Sequence, residues 1–131
     1  MYGRIVVGVA KTESARRAVE VALDLAQRYE SELHLVMAFS RGGSSSGPEP
    51  RSDAESHLAS IQTRTSVPSQ IHVIPGDPAE AVLMVAKEVH ADLVVVGNRG
   101  MQGARRVLGS VPNSIAHGAG CSVLIADTTS G

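Results

Sequence analysis

Aromatic residues are scarce in this chain of 131 residues, which has no tryptophan, two tyrosines and one phenylalanine. Proteins that bind single-stranded nucleic acid stack the bases on aromatic side chains, and proteins that coat a polyanion are usually strongly basic. The formal net charge of this chain is −1. The composition therefore argues against a nucleic-acid partner.

Thiols and long apolar runs are also rare. Cys121 is the single cysteine, so no internal disulfide can form and a reducing compartment is expected. No apolar run approaches the roughly 20 residues that span a bilayer. The first predicted strand begins at Ile5, which leaves no room for a signal peptide. We therefore predict a cytoplasmic protein that does not interact with membranes.

Metal-site and catalytic patterns are missing as well. The histidines lack ligand spacing with one another and with Cys121, so no metal site is predicted. The chain has no P-loop, no GxGxxG fingerprint and no nucleophile elbow. Nothing in the sequence assembles a nucleophile, a base and a group that orients them, so we do not expect an enzyme.

Predicted strands alternate with predicted helices along the chain. Short runs of β-branched residues indicate buried strands, and apolar residues at helical spacing indicate amphipathic helices. Asp77 and Pro78 form the clearest helix start, as N-cap and first helical residue. The strands are predicted at 5–9, 33–39, 70–74, 92–96 and 122–126, and the helices at 15–29, 52–63, 78–89 and 110–117.

This alternation is typical of one α/β domain, residues 1–131, in which helices cover both faces of a parallel sheet. Residues 40–51 show no periodicity and predict a flexible loop. Ligands of such sheets bind at the carboxyl ends of the strands, where the strand order reverses. If the first and fourth strands flank that point, the loops after Val9 and Val96 line one crevice.

A glycine-rich segment follows the fourth predicted strand. Glycine lets the backbone approach a ligand closely, and the N-terminus of a helix attracts anions. Between Leu93 and Ala126 the sequence has no acidic residue, whereas three arginines lie in the segment. The pattern predicts a phosphate site built from Gly97, Arg99, Gly100, Gly109 and Ser110, with Arg105 and Arg106 nearby.

The chain resembles the universal stress protein family over residues 3–127. The resemblance rests on the turn Gly8–Ala15, on Gly97-Asn98-Arg99-Gly100, on Gly109–Asn113 and on the closing run Cys121–Ile125. It implies a single-domain, three-layer α/β sandwich with a five-stranded parallel sheet of order 3-2-1-4-5. It also implies a homodimer paired through the fifth strand.

The resemblance further implies a stress-response or signalling module that binds an adenine nucleotide, either ATP, AMP or a cyclic form, with Mg²⁺ accompanying ATP. The base and ribose would lie among residues of the first and second strand ends, and the phosphates would lie in the glycine-rich segment. The positions that match the family's binding residues are Val9, Ala10, Lys11, Ala38, Gly97, Gly100, Gly109, Ser110 and Val111, and Val96 and Arg99 complete the predicted site.

Two departures from the family pattern keep a second hypothesis open. Ala10 stands where the family usually has aspartate, and eight residues separate Gly100 from Gly109, one fewer than usual. A protein-interaction module of the same fold, without nucleotide binding, is therefore the alternative. Slow ATPase activity is a third and weaker hypothesis, because the sequence names no catalytic base.

Overall fold

The computed structural model describes residues 2–39, 51–97 and 110–126. Five strands and four helices alternate within these ranges. The strands are β1 (Arg4–Gly8), β2 (Glu32–Phe39), β3 (Ser69–Pro75), β4 (Leu93–Gly97) and β5 (Ser122–Ala126), and the helices are α1 (Glu13–Tyr29), α2 (Arg51–Gln62), α3 (Pro78–Val89) and α4 (Ser110–Gly118).

All five strands are parallel, in the order β3-β2-β1-β4-β5. The predicted fold class and strand order are confirmed. The predicted loop at 40–51 lies outside the described residues, except for Arg51, which begins α2 rather than ending a loop. No helix within the described residues is long and apolar enough to cross a membrane.

The sheet is buried on both faces because its central strands are apolar at most positions. In β1, Ile5 and Val7 pack toward α1 and α2, whereas Val6 packs toward α3 and α4. All three side chains are completely buried. This alternation across a continuous apolar run is what a parallel sheet between two helical layers requires.

The helices begin where local chemistry satisfies their first free N–H groups. The Thr12 hydroxyl accepts a hydrogen bond from Ala15 N at 3.1 Å, so Thr12 is the N-cap of α1. Asp77 caps α3 by accepting from Glu80 N at 3.0 Å, and Pro78 follows as predicted. Both caps hold helix N-termini near the carboxyl edge of the sheet.

A pair of histidines joins β2 to β3, a contact that linear spacing did not reveal. His34 Nδ1 lies 2.9 Å from His72 Nε2, and His34 is almost fully buried. His34 Nε2 lies 3.3 Å from a Glu32 carboxylate oxygen, although no hydrogen bond forms there. Among the described residues, no group of three or more side chains is arranged to hold a metal ion.

Burial lowers the pKa of both imidazoles. For His34 the Glu32 carboxylate opposes this shift, while His72 and Arg4 add to it. For His72 the Glu88 carboxylate on α3 opposes the shift. Burial therefore favours the neutral form of both rings, and one nitrogen of the contact donates the hydrogen bond that the other accepts.

We expect stability to fall as the pH drops below about 6.5, the value for an unperturbed histidine. Below that pH the unfolded chain binds more protons than the folded chain, so the free energy of unfolding decreases until the lowered folded pKa values are passed. Urea unfolding measured at pH 7 and pH 5 checks this. His72→Gln should make the decrease smaller, whereas His117→Gln, at an exposed position on α4, should not. An equal decrease in all three proteins would contradict the assignment.

Candidate functional site

A cleft of about 110 Å³ opens at the carboxyl ends of β1 and β4. The strand order reverses at this point of the sheet. Helices α1 and α2 cover one face of the sheet, and α3 and α4 cover the other. The helix that follows β1 (α1) and the helix that follows β4 (α4) therefore lie on opposite faces, and the cleft opens between the ends of the two strands. Parallel α/β sheets bind ligands at this kind of point.

The cleft walls come from six elements and are mostly apolar. These are β1, α1, β2, α3, β4 and α4, and the turn between β1 and α1 also contributes. Among the described lining residues, the polar side chains are those of Thr12 and Ser14. The lining residues are Gly8, Val9, Ala10, Thr12, Ser14, Ala15, Val36, Ala38, Pro78, Val82, Val96, Gly97, Val111 and Pro112.

Six of the residues predicted from sequence meet in this cleft. They belong to four separate segments of the chain, which only the parallel sheet brings together. The turn after β1 is held in place by a hydrogen bond from Val9 N to Val36 O of 2.8 Å. The six are Val9, Ala10, Ala38, Val96, Gly97 and Val111.

Lys11 does not line this cleft. Its side chain borders an adjoining hollow of about 360 Å³ between α1 and α2, together with Arg16, His57 and Arg64. The cations of this hollow are paired: Arg16 bonds Glu13 at 2.6 Å, and Arg64 bonds Glu20 at 2.5 Å. The Arg16 hydrogen bond and charge hold the pKa of Glu13 below its usual range.

Most of the residues that were predicted to bind phosphate lie outside the described residues. Arg99, Gly100 and Gly109 lie in 98–109, between the end of β4 and the start of α4. Ser110 begins α4, and its side chain lies outside the described part. The involvement of these four residues in phosphate binding stays a prediction.

Gly97 has a packing role that the sequence did not suggest. A Cβ atom built on Gly97 would overlap the hydroxyl and carbonyl oxygens of Ser14 and would lie 2.7 Å from the Ser14 carbonyl carbon. The first turn of α1 therefore lies directly against the last residue of β4. A glycine is required here for close helix–strand packing, whether or not a ligand is bound.

Several cleft residues were not predicted from sequence as binding residues, among them Val36, Pro78 and Val82. For Val36 a signal existed: it precedes Ala38 by two positions on β2, so the two share a face of the sheet. Val82 belongs to the apolar stripe of α3. That stripe predicts a buried side chain, but it does not predict that the side chain lines a cleft. Tertiary packing alone supplies that information.

A doubly wound α/β domain with an apolar cleft at its strand-order reversal is the class of protein defined by these observations. The model of the universal stress protein family matches residues 1–127. Universal stress protein A homolog 2 of Coxiella burnetii is 31% identical over 136 residues, covering 94% of this chain and 93% of the relative. The chain belongs to the universal stress protein family.

Solved structures agree with this assignment. A universal stress protein in complex with cAMP is 29% identical, with a TM-score of 0.78, and the match covers 97% of this chain and 98% of that one. A universal stress protein family protein from Arabidopsis thaliana, with AMP bound, is 22% identical and has a TM-score of 0.68, over 95% of this chain and 91% of that one. The second similarity supports the fold alone.

Proposed function

We propose that this protein binds an adenine nucleotide in the cleft between β1 and β4. The observation that carries the proposal is the convergence of six sequence-predicted positions on one apolar crevice at the switch point of the sheet. The related protein of known structure in complex with cAMP supports the choice of ligand. A planar adenine ring suits a narrow apolar crevice, since most lining surface of ligand pockets is hydrophobic.

Val36, Ala38 and Val82 offer the apolar surface against which the base would pack. The phosphate would lie toward Gly97 and the start of α4, where α4 contributes Val111 to the lining. If the ligand is ATP, Mg²⁺ would be held mainly by the triphosphate, because the described lining contains no carboxylate.

Binding without turnover is part of the proposal. Across the described residues, the cleft lining carries no carboxylate, imidazole, amine or thiol that would act as a base or a nucleophile. Nucleotide binding would act through conformation or assembly. ATP incubated with the protein should therefore remain intact, and steady phosphate release abolished by a substitution in the cleft would contradict this part.

Thermal unfolding with a panel of nucleotides tests the proposal. A ligand that binds only the folded state at a hundred times its Kd raises the free energy of unfolding by about 2.7 kcal/mol. AMP, cAMP and ATP with Mg²⁺ should raise the midpoint by several degrees, and GMP and CMP at equal concentration are the controls. No shift with millimolar adenine nucleotide would favour the alternative, a protein-interaction module of the same fold.

We also propose a homodimer through β5, which is an edge strand of the sheet. Val123, Leu124 and Ile125 are half-buried, and no residue of Ser122–Ala126 is charged. An edge strand without charges or proline is prone to pair with another strand, and two-fold symmetry closes such a contact.

Leu124→Lys is expected to convert the dimer to monomer in sedimentation velocity at micromolar concentration, because it places a charge beside the pairing edge. Circular dichroism of the variant checks that the sheet remains folded. Lys87→Leu, at an exposed position on α3, is the control and should leave the dimer intact. A wild-type chain that sediments as a monomer would refute the dimer.

A cytoplasmic location completes the proposal. The single cysteine, Cys121, is half-buried, and burial raises the pKa of its thiol, with the Asp92 carboxylate adding to the shift. A thiol in this state is a weak nucleophile and suits a small packed side chain better than a reactive group. This use of cysteine fits a reducing compartment.

A further inference from the structure

The Ser14 hydroxyl is a buried polar group without a partner. Its oxygen has less than 1 Å² of accessible surface and makes no hydrogen bond. Buried polar atoms in proteins are nearly always paired, and an exception calls for an explanation. Ser14 is also one of the residues that line the cleft.

Helix capping does not explain this hydroxyl. Thr12 is the N-cap of α1, and its side chain already accepts from Ala15 N. Packing does not explain it either, because the neighbouring buried positions of α1 include three alanines, Ala15, Ala18 and Ala22. An alanine at position 14 would fill nearly the same space and would bury no unpaired oxygen.

The position of the hydroxyl relative to β4 suggests its role. A Cβ on Gly97 would overlap the Ser14 oxygen, so the hydroxyl lies over the last residue of β4. Ser14 and Gly97 both line the cleft, which opens at this end of β4. The absence of a side chain at position 97 is what brings the hydroxyl so close to the strand end.

We propose that Ser14 is a ligand-binding residue whose hydroxyl donates a hydrogen bond to the phosphate of the bound nucleotide. The inference rests on the proposed function. Serine rotates readily between staggered χ1 positions, and in this proposal ligand binding includes such a rotation, which brings the oxygen from Gly97 to the phosphate. Ser14 is the second residue of α1, where the positive end of the helix dipole also favours an anion. The free protein thus keeps an unpaired donor that the ligand satisfies.

Ser14→Ala separates this role from a structural one, because the two roles predict opposite changes in the free protein. Without ligand, the variant should unfold about 2–4 °C higher than wild type, since it no longer buries an unpaired hydroxyl. In calorimetry its affinity for AMP should fall about tenfold, the usual value of a hydrogen bond to a charged group. Its affinity for adenosine, which lacks the phosphate, should change less than about twofold. Ser66→Ala, at an exposed position outside the cleft, is the control for both measurements.

Each other outcome overturns the inference in a distinguishable way. Unchanged AMP affinity in Ser14→Ala would remove Ser14 from the site while leaving the proposed function intact. Equal losses for AMP and adenosine would refute the phosphate contact. A lower unfolding temperature in the free variant would show that the hydroxyl is paired for structural reasons. A wild-type protein that binds neither ligand would refute the inference together with the proposed function.

Discussion

Ala38→Phe is expected to reduce the affinity for AMP at least about a hundredfold, or by about 3 kcal/mol. Ala38 lies on β2 and lines a cleft of about 110 Å³. A benzene ring occupies a protein cavity of about 150 Å³, so a phenyl group at this position fills the crevice and leaves no room for an adenine. Isothermal titration calorimetry of the wild type and the variant measures the effect.

Ala59→Phe is the matched control for this substitution. It adds the same side chain at an exposed position of α2, on the opposite face of the sheet, and should leave AMP affinity unchanged. Thermal unfolding of both variants confirms that each is folded. A folded Ala38→Phe variant that binds AMP as tightly as wild type would place the nucleotide elsewhere on the molecule.

Gly97→Ala is expected to lower the free energy of unfolding by about 3 kcal/mol, the upper part of the usual range for overpacking. The new Cβ would lie 2.7 Å from the carbonyl carbon of Ser14. The atom it meets belongs to the backbone of α1, so no side-chain rotation relieves the overlap. Either β4 or the first turn of α1 has to move. Urea unfolding gives the change directly, provided that the m-value stays the same.

Gly120→Ala makes the same chemical change where nothing lies within 4 Å of the added Cβ. Its free energy of unfolding should differ from wild type by less than about 1 kcal/mol. If Gly97→Ala also changed the free energy of unfolding by less than about 1 kcal/mol, close packing of α1 on β4 would not explain the glycine at this position. Nucleotide approach would then be the remaining reason for Gly97.

The elements of the fold could be predicted because each has a strong local signal. The run Ile5–Val9 is apolar at successive positions, as a strand buried on both faces has to be. The start of α3 follows from Asp77 and Pro78, whose side chains act on backbone groups within one turn. Such signals depend on neighbours in sequence, and they are readable without knowing the tertiary structure.

The candidate site was predictable only in part. Ala38 and Val96, both predicted as binding residues, line the cleft, whereas Lys11, which was also predicted as one, borders the hollow between α1 and α2. At a tight turn, a shift of one residue moves a side chain to a different face. Sequence spacing does not resolve that choice, because it depends on how α1 leaves the strand.

Contacts between distant residues were not readable from sequence. His34 and His72 are separated by 38 positions and meet only because β2 and β3 pair in one particular register, with Val36 opposite His72. The same holds for Ser14 and Gly97, which touch because α1 crosses the end of β4.

The amino-acid sequence by itself determined the order of strands and helices, the start of α3 and the two apolar faces of the sheet, because these depend on local backbone chemistry and on side-chain periodicity. Only the tertiary structure decided which side chains share the cleft, which glycine is required for packing and which hydroxyl is left unpaired. These properties depend on distances between segments far apart in the chain. Such distances are set by the packing of the whole domain and not by any one segment.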